Sequence, residues 1–160
     1  MEKIGVYPGS FDPITNGHMD VLRRSLEVFD RVILLLAVNP RKKSVFPIEE
    51  RLAMMKEAVK DMDRVTVDAT DGLTVDYCLS HGSHHIIRGL RAVTDFEYEF
   101  QLAAANRFAG PWVDMVFFMS GSDTAFISSS AINEMEASGV DISPLVPEVV
   151  ARHYTSRKKK

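Results

Sequence analysis

The chain has one cysteine, Cys78, in 160 residues. An intrachain disulfide is therefore excluded, and with it the small secreted scaffolds that depend on one. Cys78 sits beside Val75 and Leu79 and reads as a core thiol rather than a nucleophile. Long apolar runs are missing too. The strongest, Val32 to Val38, is far too short to cross a bilayer. The common nucleotide loops are absent. No G-x-x-x-x-G-K-[ST] occurs, and no G-x-G-x-x-G follows a strand pattern, so kinase-type and dinucleotide-binding readings lose their main support. Nor is there an excess of positive charge. The net of −3 argues against a protein dedicated to nucleic acid. Arg157 to Lys160 are all basic, which leaves −7 for the remainder. From about residue 157 the chain reads as a solvated basic tail.

What is present belongs to an ordinary soluble domain. Hydrophobic residues make up 46% and charged residues 26%, enough for one core spanning 1–160. Met1-Glu2-Lys3 runs into a strand-like segment without a signal-peptide pattern, so a cytoplasmic protein with no membrane partner is expected. Strand-like and helix-like patterns alternate. Ile4–Tyr7, Arg31–Val38, Val65–Val67, His84–Ile87 and Val113–Met119 read as five strands. Arg31–Val38 is apolar on both faces, as in a parallel sheet. Between them, Met19, Leu22, Leu26 and Phe29 recur at helical spacing, as do Ile48, Leu52, Met55 and Val59 behind Pro47. Leu73–Leu79 reads as helical. Thr94 to Glu97 has capping-box spacing and opens a helix through about Asn106. Ser128–Ser138 is a helix that Gly139 ends, and another follows Pro147. The fold class is α/β, a Rossmann-like open parallel five-stranded sheet with helices on both faces.

In such sheets ligands sit beyond the carboxyl ends of the strands. The polar clusters fall there. Pro8 to Pro13 and Thr15 to His18 follow the first strand, and Arg41-Lys42-Lys43 the second. Asp68 to Thr74, Arg88 to Arg91, and Ser120 to Asp123 with Ser128 to Ser130 follow the rest. Hydroxyls, a histidine, lysines and arginines on one sheet edge suit a polyphosphate. His18 and Ser128 to Ser130 both stand at helix starts, where free N–H groups attract anions. Simple capping roles stay open for each of them. Lys42 and Lys43 also read as a solvated loop. Arg88 and Arg91 also read as ion-pair partners of Asp95 or Glu99, Thr74 as a helix cap, and Glu99 as a surface residue. Tyr98 and Phe100 point to different helix faces, so at least one should pack in a core or an interface. His84 and His85 are adjacent on a strand and point to opposite faces, so no metal-ligand set is expected from the protein.

Thr15-Asn16-Gly17-His18 resembles the T/H-x-G-H motif of the nucleotidyltransferase superfamily, and Ile127-Ser128-Ser129-Ser130 its ISS-type motif. Tyr7 through His18 and Arg88 through Glu99 resemble segments of bacterial phosphopantetheine adenylyltransferases, with matching length and motif order. The resemblance implies adenylyl transfer from ATP to 4′-phosphopantetheine, giving dephospho-coenzyme A and pyrophosphate. A related nucleotidyltransferase using another acceptor, such as nicotinamide mononucleotide, is the alternative. It further implies that His18, Lys42, Ser10 and Arg91 carry the reaction. ATP would be held by Ser10, Phe11, His18, Gly89, Leu90, Arg91 and Glu99, and by the stretch Thr124, Ala125, Phe126, Ile127, Ser128, Ser129 and Ser130. Ser10, Lys42, Thr74 and Arg88 would hold the acceptor. Mg2+ would ride mainly on the ATP phosphates. Homohexamers and feedback by coenzyme A are family expectations. Ser10 stands where threonine is common, Thr124 where an aromatic residue is frequent, and Asn133 where a basic residue is frequent. The last departure puts one phosphate contact in question.

Overall fold

The computed structural model describes residues 1–160, apart from the side chains of Val93 and Thr94. The helix expected to open on a capping box at Thr94 spans Val93–Ala109 instead, with Ala92 at the N-cap position and no side-chain cap bond, so that expectation is corrected. Five strands, β1 (Ile4–Gly9), β2 (Arg31–Ala37), β3 (Val65–Thr70), β4 (His85–Leu90) and β5 (Asp114–Met119), form one parallel sheet in the order β3-β2-β1-β4-β5. Helices α1 (Asn16–Ser25), α2 (Ile48–Ala58), α3 (Thr74–Ser80), α4 (Val93–Ala109) and α5 (Ser129–Ala137) fill the crossovers and the stretch beyond β5. A 3-10 turn, Ser143–Leu145, leads to α6 (Glu148–Lys158).

The alternation along β2 explains the layers. Val32, Leu34 and Leu36 enter one core with Met19 and Leu22 of α1, Met54 and Met55 of α2, and Val150 and Tyr154 of α6. Ile33 and Leu35 point the other way, into a smaller core with Val75 and Cys78 of α3. A strand buried on both faces needs apolar side chains at every position, which is the pattern this segment shows. Cys78 is fully buried, as expected of a core thiol.

Topology also places the site. The chain moves outward from β1 to β3, then returns to lay β4 on the other side of β1. Crevices form where the strand order reverses in this way. The ladder between β1 and β4 has two residue pairs, Gly5–His85 and Val6–Ile86, against six for each of the other neighbours. The two strands therefore part beyond Val6, and their carboxyl ends open a cleft.

Several expectations are corrected at element ends. β4 extends through Arg88, Gly89 and Leu90, so these residues lie on the strand rather than after it. β3 likewise absorbs Asp68 to Thr70. Backbone pairing with a neighbouring strand continues past the apolar positions that the pattern reads. The basic tail is only partly a tail. Arg157 and Lys158 belong to α6, with the Arg157 guanidinium 4.7 Å from the Phe46 ring centre and Lys158 Nζ 2.6 Å from Glu136. Tyr98 and Phe100 are both exposed, so neither packs in the core of this chain.

Candidate active site

The turn after β1 builds the first wall. Thr15 caps α1 by accepting a hydrogen bond from the His18 backbone N–H at 3.3 Å. In return the Thr15 N–H donates to His18 Nδ1 at 3.0 Å. A backbone amide can only donate, so Nδ1 accepts and the neutral ring carries its hydrogen on Nε2. Phe11 and Tyr7 stand edge-on to this ring, at 4.9 and 6.4 Å between centroids. Burial, followed by the charges of Arg91 and Arg88, lowers the His18 pKa to about 4. At neutral pH the residue is thus an oriented N–H donor and carries no charge. Gly17 allows the next loop to approach, because a Cβ there would lie 3.3 Å from the Ile127 carbonyl.

That approach brings α5 beside α1. Ser128 is the N-cap of α5, and its Oγ accepts from the Ala131 N–H at 3.0 Å. The Ser129 hydroxyl donates to the Pro13 carbonyl at 2.8 Å. The serines thus serve the fold with their side chains. What they offer a ligand is chiefly the first-turn backbone of α5, an anion-seeking environment.

The second wall is cationic. Arg88, on β4, makes a two-pronged pair with Glu99 of α4, Nε to Oε2 at 2.9 Å and Nη2 to Oε1 at 2.6 Å. Its Nη1 reaches the Pro8 carbonyl at 3.3 Å, across the gap between β4 and β1. Burial works against the Arg88 charge, but the Glu99 carboxylate outweighs it and raises the pKa further. Arg91 pairs with Asp95 at 3.4 Å. Both ion-pair readings are therefore realised, and Glu99 is buried rather than on the surface.

One cleft of about 660 Å3 collects these groups. Ser10, Phe11, His18, Lys42, Thr74, Arg88 and Arg91 line it, with Gly89, Glu99 and Ile127 to Ser130. Leu90 is buried, and neither it nor Thr124, Ala125 and Phe126 contributes to the lining. Phe126 is largely exposed. Four groups that sequence reasoning left without a role also belong here. Asp12 accepts from the Val45 and Phe46 N–H groups at 2.7 and 2.8 Å, which ties down the end of the Lys42 loop. Asn133 donates to the Asp12 carbonyl at 3.0 Å and accepts from Tyr154. It is a brace for the turn after β1, where the sequence suggested only a lost phosphate contact. Arg51 of α2 and Asn106 of α4 line the cleft as well. No local spacing marks them, because each reaches the cleft from a helix whose pattern is dominated by core packing.

Among the described residues, no group of three or more His, Cys, Asp and Glu side chains could hold a metal ion. Asp12, Asp95 and Glu99 line the cleft but are each engaged with protein donors. No helix is long and apolar enough to cross a membrane, among the described residues.

The cytidylyltransferase-like family matches residues 6–135. A phosphopantetheine adenylyltransferase of Carboxydothermus hydrogenoformans is 49% identical, over 92% of this chain and 91% of the relative. One from Syntrophus aciditrophicus is 50% identical over 95% and 92%. One from Desulfatibacillum aliphaticivorans is 46% identical over 99% and 91%. The chain belongs to the phosphopantetheine adenylyltransferase family. A solved structure from Vibrio parahaemolyticus, provisionally assigned as a nicotinate-nucleotide adenylyltransferase, superposes with a TM-score of 0.68. It covers 97% of this chain and 99% of its own at 19% identity, and so speaks for the shared fold alone. In this member of the phosphopantetheine adenylyltransferase family, the two long sequence matches, Tyr7 to His18 and Arg88 to Glu99, form facing walls of one cleft. They come together because β1 and β4 are neighbours in the sheet.

Proposed function

We propose that this chain transfers the adenylyl group of ATP to 4′-phosphopantetheine, as one domain spanning residues 1–160. An acceptor phosphate oxygen attacks the α-phosphorus, the bond to the bridging oxygen of the β-phosphate breaks, and pyrophosphate leaves. The products are dephospho-coenzyme A and pyrophosphate. The observation that carries the reading is the gathering of His18, Lys42, Arg88 and Arg91 with the first turns of α1 and α5 in one cleft.

The acceptor is a phosphate monoester whose second pKa is about 6, so it is already an anionic nucleophile at neutral pH. No general base is needed. Catalysis then consists of positioning two anions and stabilising the charge that moves onto the leaving group. His18 donates Nε2–H to the phosphate at the reacting centre. Neutrality suits it, since a fixed dipole stabilises developing charge without a proton transfer. Ser10 and Phe11 hold the same phosphate by hydroxyl and backbone. Lys42 draws the two phosphates together from its loop. Gly89, Arg91 and Glu99 frame the nucleotide from the end of β4 and from α4, and Ile127 through Ser130 enclose it from the α5 side, while Leu90 and Thr124 to Phe126 stand outside the cleft lining and contribute no contact. Arg88 holds the acceptor phosphate, and Thr74 lies along its arm.

The family relationship implies Mg2+. The cleft's carboxylates are occupied, which fits an ion that keeps its waters and binds through substrate phosphates. When bound, such an ion offsets charge on the phosphates. A homohexamer is part of the proposal, supported by the exposed aromatic residues Phe96, Phe100 and Phe108 on α4. Feedback by coenzyme A at the same cleft and a cytoplasmic location, in keeping with the lone buried thiol, complete it. The test is mass spectrometry after incubation with ATP, magnesium and either 4′-phosphopantetheine or nicotinamide mononucleotide. Dephospho-coenzyme A and pyrophosphate are expected. Adenylation of the mononucleotide alone would refute the acceptor assignment.

A further inference from the structure

Among the described residues, Arg51 is the only lysine or arginine buried in the protein, at 7% exposure. It stands on α2, at the floor of the cleft. Its Nη1 donates to the Ser10 carbonyl at 3.0 Å, and its Nε is buried without an acceptor. No carboxylate pairs with it among the described residues. Asp12, which lines the same cleft, spends both its oxygens on the Val45 and Phe46 amides. A guanidinium is charged in every protein environment. Burying one without a counter-charge is costly, and the cost falls when an anion arrives.

The acceptor that Arg51 does have is informative. The Ser10 carbonyl belongs to the same peptide unit as the Phe11 N–H, and in a trans peptide the two point in opposite directions. Among the described residues only the Asp12–Pro13 bond is cis, so the Ser10–Phe11 bond is trans. With the carbonyl turned toward α2, the Phe11 N–H is turned away from it. Phe11 itself has φ +41°, a left-handed backbone that a residue with a Cβ adopts only under constraint. Arg51 supplies that constraint from below, while the Phe11 ring is clamped between Tyr7 and His18.

We infer that Arg51 is a positioning residue for nucleotide phosphate. It pins the Ser10–Phe11 peptide with its N–H available to the ligand, and it places an unbalanced positive charge one peptide behind that donor. The inference rests on the nucleotidyl-transfer reading above. It assigns Arg51 no direct contact with substrate. Its charge is balanced by the bound polyphosphate, which makes the ligand-free protein the less comfortable state.

The test is calorimetric binding of magnesium pyrophosphate to the full chain, in wild type, Arg51→Gln and Arg51→Lys, with melting temperatures measured alongside. Arg51→Gln should weaken pyrophosphate binding about tenfold or more, the scale expected when a nearby buried positive charge and the fixed orientation of one backbone N–H donor are both lost. Its ligand-free melting temperature should hold, because removing the unpaired charge offsets the lost bond to Ser10. Arg51→Lys, which keeps the charge, should bind within about threefold of wild type. A purely structural Arg51 would give the opposite pattern, a fallen melting temperature with unchanged affinity, and that result overturns the inference. If Arg51→Gln does not fold, Arg51→Met, which also removes the charge, takes its place beside Arg51→Lys: about a tenfold loss of pyrophosphate affinity in Arg51→Met with binding within about threefold in Arg51→Lys supports the role, and unchanged affinity in both ends it. Failure of the functional reading would look different. Wild type would then bind pyrophosphate and respond to Arg51 as described, yet adenylate some other acceptor.

Discussion

Acid should destabilise this protein through His18, and by a calculable amount. Burial against Phe11 and Tyr7, with the Arg91 and Arg88 charges, takes the ring from 6.5 to about 4 in the folded chain. The unfolded chain restores the ordinary value. Between the two, the unfolded state binds the extra proton, so stability rises with pH from about 4 to about 6.5 and is lost as pH falls through that window. At about 1.4 kcal/mol per pH unit, the full displacement corresponds to about 3 kcal/mol. The ring keeps an edge on the open cleft, and solvent screening there brings the figure to about 1–2 kcal/mol. His18→Asn removes the titration while leaving a side-chain oxygen to accept from the Thr15 N–H. Urea unfolding at about pH 7 and about pH 4.5 should therefore show wild type losing about 1–2 kcal/mol more than the variant. Nitrogen NMR of the ring should report a neutral imidazole protonated at Nε2 at about pH 6. Parallel losses in the two proteins, or an imidazolium at that pH, would refute the reasoning. The same ring state implies that any rise in activity near pH 6 belongs to the acceptor phosphate rather than to His18.

Other consequences follow from neighbouring contacts. His18→Ala should lower kcat by about 100-fold or more in a protein with unchanged circular dichroism, since it removes an oriented donor at the reacting centre; near-normal kcat would sink that role. Arg88→Ala should raise KM for phosphopantetheine about tenfold or more and cost about 3 kcal/mol in urea unfolding, because Glu99 is left buried and unpaired. Arg88→Ala combined with Glu99→Gln should regain most of that stability without regaining the acceptor KM. Leu34→Ala, on a strand sealed on both faces, should cost about 2–5 kcal/mol in the same assay. Deleting residues 157–160 should leave turnover unchanged but lower the melting temperature slightly, as the contacts to Phe46 and Glu136 are lost.

Local chemistry in the sequence was enough to specify the layers of this fold and the corners of its site. The doubly apolar run at Val32 to Leu36 announces a buried parallel strand, and the polar clusters after each strand announce a ligand edge. His18 and Ser128 were legible because helix starts have their own side-chain grammar. The resemblance carried by Tyr7 to His18 and Arg88 to Glu99 named the reaction class. Tertiary structure decided what depends on approach between distant segments. That Arg88 faces Pro8, that Asn133 braces Asp12, and that Arg51 rises behind Ser10 depend on how the sheet order β3-β2-β1-β4-β5 and the helices packed on it bring distant segments together, whereas the Arg91–Asp95 pair is a local i,i+4 contact already open in the sequence. The sequence also could not say that the Ser128 and Ser129 hydroxyls are spent on the fold, since that requires knowing where the Pro13 carbonyl lies. Protonation belongs to the same class. The residue type sets His18 near 6.5, but the rings and cations that fold around it decide that it works as a neutral donor.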